Sequence, residues 1–170
     1  IAKSFGSLSS PHHLSKLVCV SKYIKDNIIS NHYRVISPQL FEYLPYGIHI
    51  PNANKNTANS KLRIVYVGRL AQEQKRIIET VNILCQIAQI RQDIEIVIYG
   101  DGPDKAIVEE ILKPYTSKFS IKLGGKLSPP EVYSILSDSH IFILLSDYEG
   151  LPIALLEAMA SGVVPIVYNM

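Results

Sequence analysis

The sequence is poor in the features that mark membrane, nucleic-acid and disulfide-bonded proteins. The 170-residue chain has no tryptophan and only two cysteines, and it lacks the run of about 18 apolar residues that spans a bilayer. Its 17 basic and 15 acidic residues include no long basic run, so no nucleic-acid partner is expected. Hydrophobic residues make up 47 % of the chain, which predicts a well-cored globular protein. We expect it to be cytoplasmic or peripheral at the inner face of the membrane.

Metal-binding and phosphate-loop motifs are also missing. Cys19 and Cys85 each lie in an apolar run without a second ligand at metal-binding spacing, so both are predicted to be buried thiols. His12 and His13 are adjacent but have no further ligands, and no metal site is predicted. The absence of G-x-x-x-x-G-K-S/T excludes a P-loop. The segment GRL at 68–70 also departs from the G-x-G-x-x-G of dinucleotide-binding dehydrogenases.

The first third of the chain has too few elements to form a core of its own. Residues 17–21 predict a buried strand, residues 22–33 an amphipathic helix, and residues 43–50 a second extended piece. The Asn-rich segment 51–60 has no apolar periodicity, which predicts a linker. We therefore expect residues 1–50 to be the C-terminal remnant of another domain.

Beyond residue 60, near-continuous apolar strands alternate with helices. This pattern predicts a doubly wound α/β domain over residues 61–170, with a parallel sheet covered by helices on both faces. We expect the domain to be incomplete at its C-terminus. Ser128, followed by two prolines and then Glu131, predicts a capping box. The predicted strands are 63–68, 93–100, 119–125, 140–146 and 163–169, and the predicted helices are 75–92, 104–115, 128–136 and 151–160.

Sheets of this class bind ligands beyond the carboxyl ends of the strands, where the strand order reverses. With the common order 3-2-1-4-5, this crevice lies between the loops 68–75 and 147–150. The first loop carries Arg69 and Lys75, and the second carries Glu149 and leads into a helix N-terminus. Two cations facing a helix N-terminus predict an anion site, although each charge taken alone is compatible with an ordinary surface residue.

Glu157 is unusual because it lies in the middle of a helix with no polar face. The helix is expected to run from Leu151, with Pro152 in its first turn, to Ala160, and such an apolar helix is normally buried. A buried carboxylate is costly unless it is paired, so Glu157 needs a partner, which is either a structural cation or a ligand. The glycine cluster YGDGP at 99–103 is compatible with a tight turn or with a ligand site.

Four segments, taken in order, resemble a known family. VGRLAQEQK, YGDGP, KLGGKLSPPEVYSIL and SDYEGLPIALLEAMASGVVPIV resemble the donor-binding domain of retaining GT-B glycosyltransferases of family 4 (glycosyl transferases group 1). The most specific feature is Glu149 followed by Glu157, an E-x7-E pair embedded in E-G-L-P and E-A-M-A-S-G. The resemblance extends over roughly residues 15–170 and makes residues 1–50 the end of the family's acceptor domain.

The resemblance implies a role for each candidate residue. Arg69 and Lys75 would grip the donor diphosphate, and Glu149 would contact the transferred sugar, which makes these three the expected catalytic residues. Glu157 would accept hydrogen bonds from the ribose hydroxyls. No metal or other cofactor is expected, because the cations and the helix N-terminus would neutralise the diphosphate. The other donor-binding residues are expected to be Gly68, Gly125, Lys126, Leu127, Gly150, Leu151 and Pro152.

The implied activity is that of a hexosyltransferase. It would transfer a sugar, with retention, from a UDP-, GDP- or ADP-linked donor to a carbohydrate or lipid-linked acceptor in surface polysaccharide or glycolipid synthesis. Since most of the acceptor domain is missing and would have to be supplied in cis or in trans, the isolated chain is expected to bind nucleotide but to transfer sugar poorly. Where the family usually has glycine after the lysine, this chain has Arg76. Two alternatives stay open: a non-catalytic nucleotide-sugar binding module or subunit of a split enzyme, and a GT-B sugar-nucleotide epimerase.

Overall fold

The computed structural model describes residues 15–32, 37–51 and 61–168. The predicted linker 51–60 lies, except for its first residue, outside the described residues, as do His12 and His13. The chain divides into two compact units, and the division falls between Gly47 and Ile48.

The first unit combines a small parallel strand pair with one helix. Strand β1 (Leu17–Cys19) pairs with β2 (Phe41–Tyr43), and helix α1 (Lys22–His32) connects them together with a 3-10 helix at Pro38–Leu40. β2 overlaps the extended piece predicted over 43–50 only at Tyr43, and residues 44–50 form neither helix nor strand. The buried cluster of the described part of this unit consists of Cys19, Ile28 and Phe41.

The second unit is built on a five-stranded parallel sheet flanked by helices, which confirms the predicted fold class. The strand order is β5-β4-β3-β6-β7, and this is the predicted order 3-2-1-4-5. The winding direction therefore reverses between β3 and β6, where the carboxyl ends of two neighbouring strands open into separate loops. The strands are β3 (Leu62–Val67), β4 (Ile94–Tyr99), β5 (Ile121–Gly125), β6 (Ile141–Leu144) and β7 (Val164–Val167).

The helices follow the predicted pattern with one break. The helix predicted over 75–92 is found over residues 77–90. It begins two residues later than predicted, because Arg76 adopts a left-handed conformation (φ 48°, ψ 44°) and separates it from a short helix that ends at Lys75. The capping box is confirmed, since the Ser128 amide donates to the Glu131 carboxylate at 2.7 Å. The helices are α2 (Gln72–Lys75), α3 (Ile77–Ile90), α4 (Lys105–Thr116), α5 (Pro129–Ser137) and α6 (Ile153–Ala160).

The core of the second unit lies along the central strands and the helices that cover them. Cys85 belongs to this core, whereas Cys19 belongs to the small cluster of the first unit. Both are buried free thiols, as predicted, and burial raises the pKa of each. Burying each large apolar side chain stabilises the fold by about 1.5–3 kcal/mol, so this interior dominates the stability of the unit. Its largest fully buried side chains include Tyr66, Leu70, Ile77, Leu84, Ile96, Ile98, Leu112, Leu136, Phe142 and Leu144.

Helix α6 differs from its prediction at both its start and its surface. It begins at Ile153 rather than Leu151, and Pro152 is its N-cap residue. The helix is not buried all round: Ala158 is its one fully buried residue, whereas Ile153 is 38 % and Met159 55 % exposed. The absence of a polar face therefore did not indicate complete burial.

Candidate functional site

The loops that follow β3 and β4 are joined backbone to backbone at the carboxyl edge of the sheet. The Gly68 amide donates to the Tyr99 carbonyl at 3.1 Å, and the Leu70 amide donates to the Asp101 carbonyl at 2.9 Å. The Asp104 carboxylate accepts from the Gln72 amide at 2.7 Å. The loop carrying Arg69 is therefore held against the neighbouring loop by main-chain contacts, independently of its own side chains.

Two glycines make this close approach possible. A Cβ atom on Gly100, which has φ +152°, would lie 1.9 Å from the carbonyl oxygen of Gly68. A Cβ on Gly102 would lie 2.4 Å from the carbonyl oxygen of Leu70. The YGDGP cluster thus has a structural reason for its glycines, which is the contact of one backbone with another.

A cavity of about 470 Å³ opens at this edge. Its volume falls within the range typical of small-molecule sites. Among the candidate residues, it brings together Gly68, Arg69, Lys126 and Leu127. Its other lining residues are Val67, Tyr99, Gly100, Asp101, Gly102 and Val132.

The charge of this cavity is predominantly positive. Of the ion pairs between described residues, none involves Arg69 or Lys126, whereas Asp101 lies 3.9 Å from the Lys105 ammonium. Two cations without a carboxylate partner therefore line one cavity, which is an arrangement suited to an anionic ligand.

Lys75 and Glu149 form an ion pair between the loops that follow β3 and β6. The ammonium of Lys75 donates to the carboxylate of Glu149, and the two side chains are only 16 % and 9 % exposed. The same loops are joined by the Asp147 amide, which donates to the Gln74 carbonyl at 2.9 Å. The crevice predicted between these loops thus holds two of the candidate residues in contact with each other.

Arg76 continues this connection between the loops. Its guanidinium lies 3.7 Å from the Asp147 carboxylate, 3.9 Å from Glu79 and 5.1 Å from the ring centroid of Tyr168. The arginine that replaces the family's usual glycine therefore contacts side chains of the protein itself. It keeps a backbone conformation that a glycine would adopt without strain.

Glu157 has a partner within the protein, and this partner is not a cation. The hydroxyl of Tyr133, on α5, donates a hydrogen bond to the Glu157 carboxylate on α6. Burial has the larger effect and raises the pKa of the Glu157 carboxyl, while the Tyr133 hydrogen bond lowers it by less. The ring of His49 stands edge-on to that of Tyr133, with centroids 5.6 Å apart.

The candidate residues around the start of α6 occupy a turn rather than the helix. Gly150, Leu151 and Pro152 precede its first residue, so the exposed amides of the first helical turn begin about two residues later than predicted. Gly125, at the end of β5, has φ +79° and accepts a hydrogen bond from the Gly100 amide at 2.8 Å. Gly125 therefore ties the third loop of this edge to the second.

Two groups of residues at this edge were missed or underrated from the sequence. Tyr99, Gly100, Asp101 and Gly102 line the cavity, and their signal was their position after a strand that neighbours β3. Tyr66 carried no sequence signal, because its position in an apolar strand resembles that of any core residue.

Neither a metal cluster nor a membrane span is found in the described part of the chain. Within residues 15–32, 37–51 and 61–168, no three His, Cys, Asp or Glu side chains lie close enough to hold a metal ion. In the same ranges, no helix combines the length and the apolar character needed to cross a bilayer.

Comparison with protein families gives a match that covers most of the chain. Residues 51–170 match the model of glycosyl transferases group 1. The chain belongs to this family. Its parallel sheet and flanking helices correspond to the Rossmann-like domains of GT-B glycosyltransferases.

Two curated relatives are a little over a quarter identical to this chain where they align with it. A human subunit of phosphatidylinositol N-acetylglucosaminyltransferase is 27 % identical over 158 residues, which cover 92 % of this chain and 31 % of the relative. The 2-deoxystreptamine N-acetyl-D-glucosaminyltransferase of Niallia circulans is 28 % identical over 146 residues, covering 85 % of this chain and 34 % of the relative. The chain thus spans about a third of the length of these relatives.

Solved structures show the same fold. TarM of S. aureus, in a complex with Fondaparinux, alpha-GlcNAc-glycerol and UDP, superposes with a TM-score of 0.82 at 16 % identity, covering 100 % of this chain and 33 % of TarM. The pneumococcal O-GlcNAc transferase GtfA, in complex with UDP and GlcNAc, superposes with a TM-score of 0.81 at 18 % identity, covering 99 % of this chain and 33 % of GtfA. At these identities the likeness concerns the fold alone.

Proposed function

We propose that this chain binds the nucleotide-sugar donor of a retaining glycosyltransferase of family 4. The observation that carries the proposal is the cavity at the carboxyl edge of the sheet, where Arg69 and Lys126 present two cations that no described carboxylate neutralises. A diphosphate is the anion that fits the chemistry of a glycosyltransferase, because negative charge builds on it as the sugar leaves. UDP is the proposed nucleotide, since TarM and GtfA were both solved with UDP.

Each candidate residue has a role in this proposal. Arg69 holds the diphosphate, and Lys126 with Leu127 lies at the nucleoside end of the cavity. Lys75 is a further cation beside the diphosphate, in addition to the two that line the cavity, and it holds Glu149 beside the position of the transferred sugar. Glu157, held by Tyr133, accepts hydrogen bonds from the ribose. Gly68, Gly125, Gly150, Leu151 and Pro152 supply the backbone that approaches the donor.

The proposed reaction needs no metal or other cofactor. Cationic side chains supply the neutralisation of the diphosphate that Mg²⁺ supplies in other enzymes. The transferred sugar is proposed to be N-acetylglucosamine, the sugar named in the two curated relatives. The acceptor is proposed to be a carbohydrate or lipid-linked molecule of surface polysaccharide or glycolipid synthesis, bound through an acceptor domain beyond residues 61–170.

The test is calorimetric titration of the purified chain with UDP, GDP and ADP in the presence of EDTA. We expect UDP to bind with a Kd of about 10 µM to 1 mM, or roughly −7 to −4 kcal/mol. Arg69→Ala should weaken UDP about tenfold or more, since a hydrogen-bonded charge pair contributes about 1.5–3 kcal/mol. Arg91→Ala is the matched control, because Arg91 pairs with Asp93 at the opposite edge of the sheet and should not affect binding.

Three outcomes would contradict the proposal. A folded wild-type chain that binds none of the three nucleotides would favour a scaffold role. Equal weakening by Arg69→Ala and Arg91→Ala would show a non-specific electrostatic effect. Binding that appears only when EDTA is replaced by Mg²⁺ would overturn the metal-independent mechanism.

A further inference from the structure

Tyr66 is a fully buried tyrosine whose hydroxyl lies directly under the functional edge of the sheet. It sits on β3 with an exposure of 0 %, next to the equally buried Val65. Its hydroxyl donates a hydrogen bond of 2.9 Å to the carbonyl oxygen of Arg69, three residues further along the chain. A core residue thus reaches the backbone of a residue that lines the cavity.

The turn formed by residues 68–71, called here the Arg69 turn, is folded around this hydroxyl. A Cβ atom added to Gly68 would lie 2.9 Å from the Tyr66 hydroxyl oxygen, so the phenol packs directly against the first residue of the turn. The Arg69 carbonyl also accepts from the Ala71 amide at 3.0 Å. Two donors therefore determine the orientation of the peptide that carries the Arg69 side chain.

The same hydroxyl lies within electrostatic reach of Glu149. Burial raises the pKa of Tyr66, and the Glu149 carboxylate raises it further. Both effects favour the protonated phenol, which is the form that donates the hydrogen bond. Tyr66 thus interacts with both loops of the crevice: its hydroxyl donates a hydrogen bond to the Arg69 carbonyl, and it interacts electrostatically with Glu149.

We propose that Tyr66 is a positioning residue: its hydroxyl holds the Arg69 turn so that the guanidinium of Arg69 meets the donor diphosphate. It acts through the Arg69 backbone and does not line the cavity itself. The proposal rests on the proposed function, because it assumes that the cavity binds a nucleotide diphosphate.

The test is a double-mutant cycle with Tyr66→Phe and Arg69→Ala. UDP binding to each variant is measured by NMR titration, so that millimolar dissociation constants are accessible. Tyr66→Phe keeps the ring and removes only the hydroxyl, and we expect it to weaken UDP about tenfold in the otherwise wild-type chain. In the Arg69→Ala background the same change should have no further effect. Tyr115→Phe on α4, which contacts Phe119, is the matched control and should bind UDP like wild type.

Two results of the cycle would overturn the proposal. Tyr66→Phe could bind UDP as tightly as wild type, which would make the hydroxyl irrelevant to the ligand. Alternatively, it could weaken UDP by the same factor in both backgrounds, which would indicate general loosening of the fold rather than an action through Arg69.

A ligand-independent measurement separates this proposal from the proposed function. Hydrogen exchange of the Leu70 and Ala71 amides reports directly on the Arg69 turn, since both donate to loop carbonyls. We expect faster exchange at both in Tyr66→Phe and unchanged exchange in Tyr115→Phe. Unchanged exchange in Tyr66→Phe would overturn the positioning role even if the wild-type chain bound no nucleotide. If the wild-type chain bound no UDP but exchange were accelerated in Tyr66→Phe, the proposed function would be overturned, while the role of Tyr66 in holding the Arg69 turn would stand.

Discussion

Arg76 shows how one residue can interrupt an otherwise continuous helical pattern. The apolar periodicity of residues 75–92 fits one helix, yet the left-handed backbone at Arg76 places Lys75 at the end of α2 and lets it pair with Glu149. A left-handed conformation costs a residue with a Cβ about 1–2 kcal/mol, and glycine avoids most of this cost. The contacts of Arg76 with Asp147 and Tyr168 offset part of it.

The strain at position 76 can be measured by comparing two substitutions that remove the same side-chain contacts. Arg76→Gly should be more stable than Arg76→Ala by about 1 kcal/mol, because only alanine keeps a Cβ in the left-handed region. Urea unfolding of both variants measures the difference in the free energy of unfolding. Equal stability of the two variants would show that the backbone at this position is not left-handed.

The raised pKa of Glu157 predicts a dependence of stability on pH. In the folded state this carboxyl binds its proton more tightly than in the unfolded chain, so folding favours the protonated form. Its contribution to stability is full below the unfolded pKa and is lost as the pH rises through the higher folded value. Glu157→Gln cannot ionise, so its free energy of unfolding relative to wild type should increase as the pH rises from about 4 to about 7. A constant difference in urea titrations across this range would contradict the prediction.

At the scale of elements, the two helices next to the site show which helix ends a sequence can predict. The start of α5 was predicted correctly, because Ser128, two prolines and Glu131 form a local signal that satisfies the first helical amides. The start of α6 was predicted two residues early, since its N-cap Pro152 makes no side-chain capping bond. A helix end without a local capping signal is determined by the contacts of the loop that precedes it.

The capping box of α5 gives a direct test at this scale. Ser128→Ala should lower the free energy of unfolding by about 1 kcal/mol, because it removes the N-cap hydroxyl that bonds to Glu131. Ser134→Ala, an exposed serine within the same helix, is the control and should change stability little. Chemical denaturation of both variants measures the difference. If the two changes cost the same, the box does not stabilise the helix.

At the scale of the whole molecule, the chain contains two buried clusters of very different size. The described part of the first unit has Cys19, Ile28 and Phe41 as its buried residues, whereas the cluster of the second unit extends across all of its central strands. Because stability grows with buried apolar area, the second unit should be much the more stable of the two.

The two native cysteines report on the two units separately. Cys19 belongs to the small cluster and Cys85 to the large one, and both are buried. In pulsed thiol labelling across a urea series, we expect Cys19 to become reactive at a clearly lower urea concentration than Cys85. Mass spectrometry of the labelled peptides distinguishes the two sites. A common midpoint would show that the units unfold as one.

Local sequence patterns were sufficient to predict the fold class, the strand order and the family. Apolar runs that alternate with amphipathic helices leave a parallel sheet as the arrangement that buries them, and the E-x7-E pair lies in one contiguous segment. The positions of glycines and charges after successive strands also indicated the edge of the sheet at which the cavity lies.

Which side chains meet at that edge followed only from the folded chain. Lys75 and Glu149 are 74 residues apart in sequence, and nothing local to either predicts their ion pair. Tyr133 reaches Glu157 only because α5 and α6 pack together, and Tyr66 reaches Arg69 only because the turn after β3 folds back over the strand. Periodicity records whether a residue is buried, whereas contacts between distant residues depend on how the strands are ordered and how their loops close over one another.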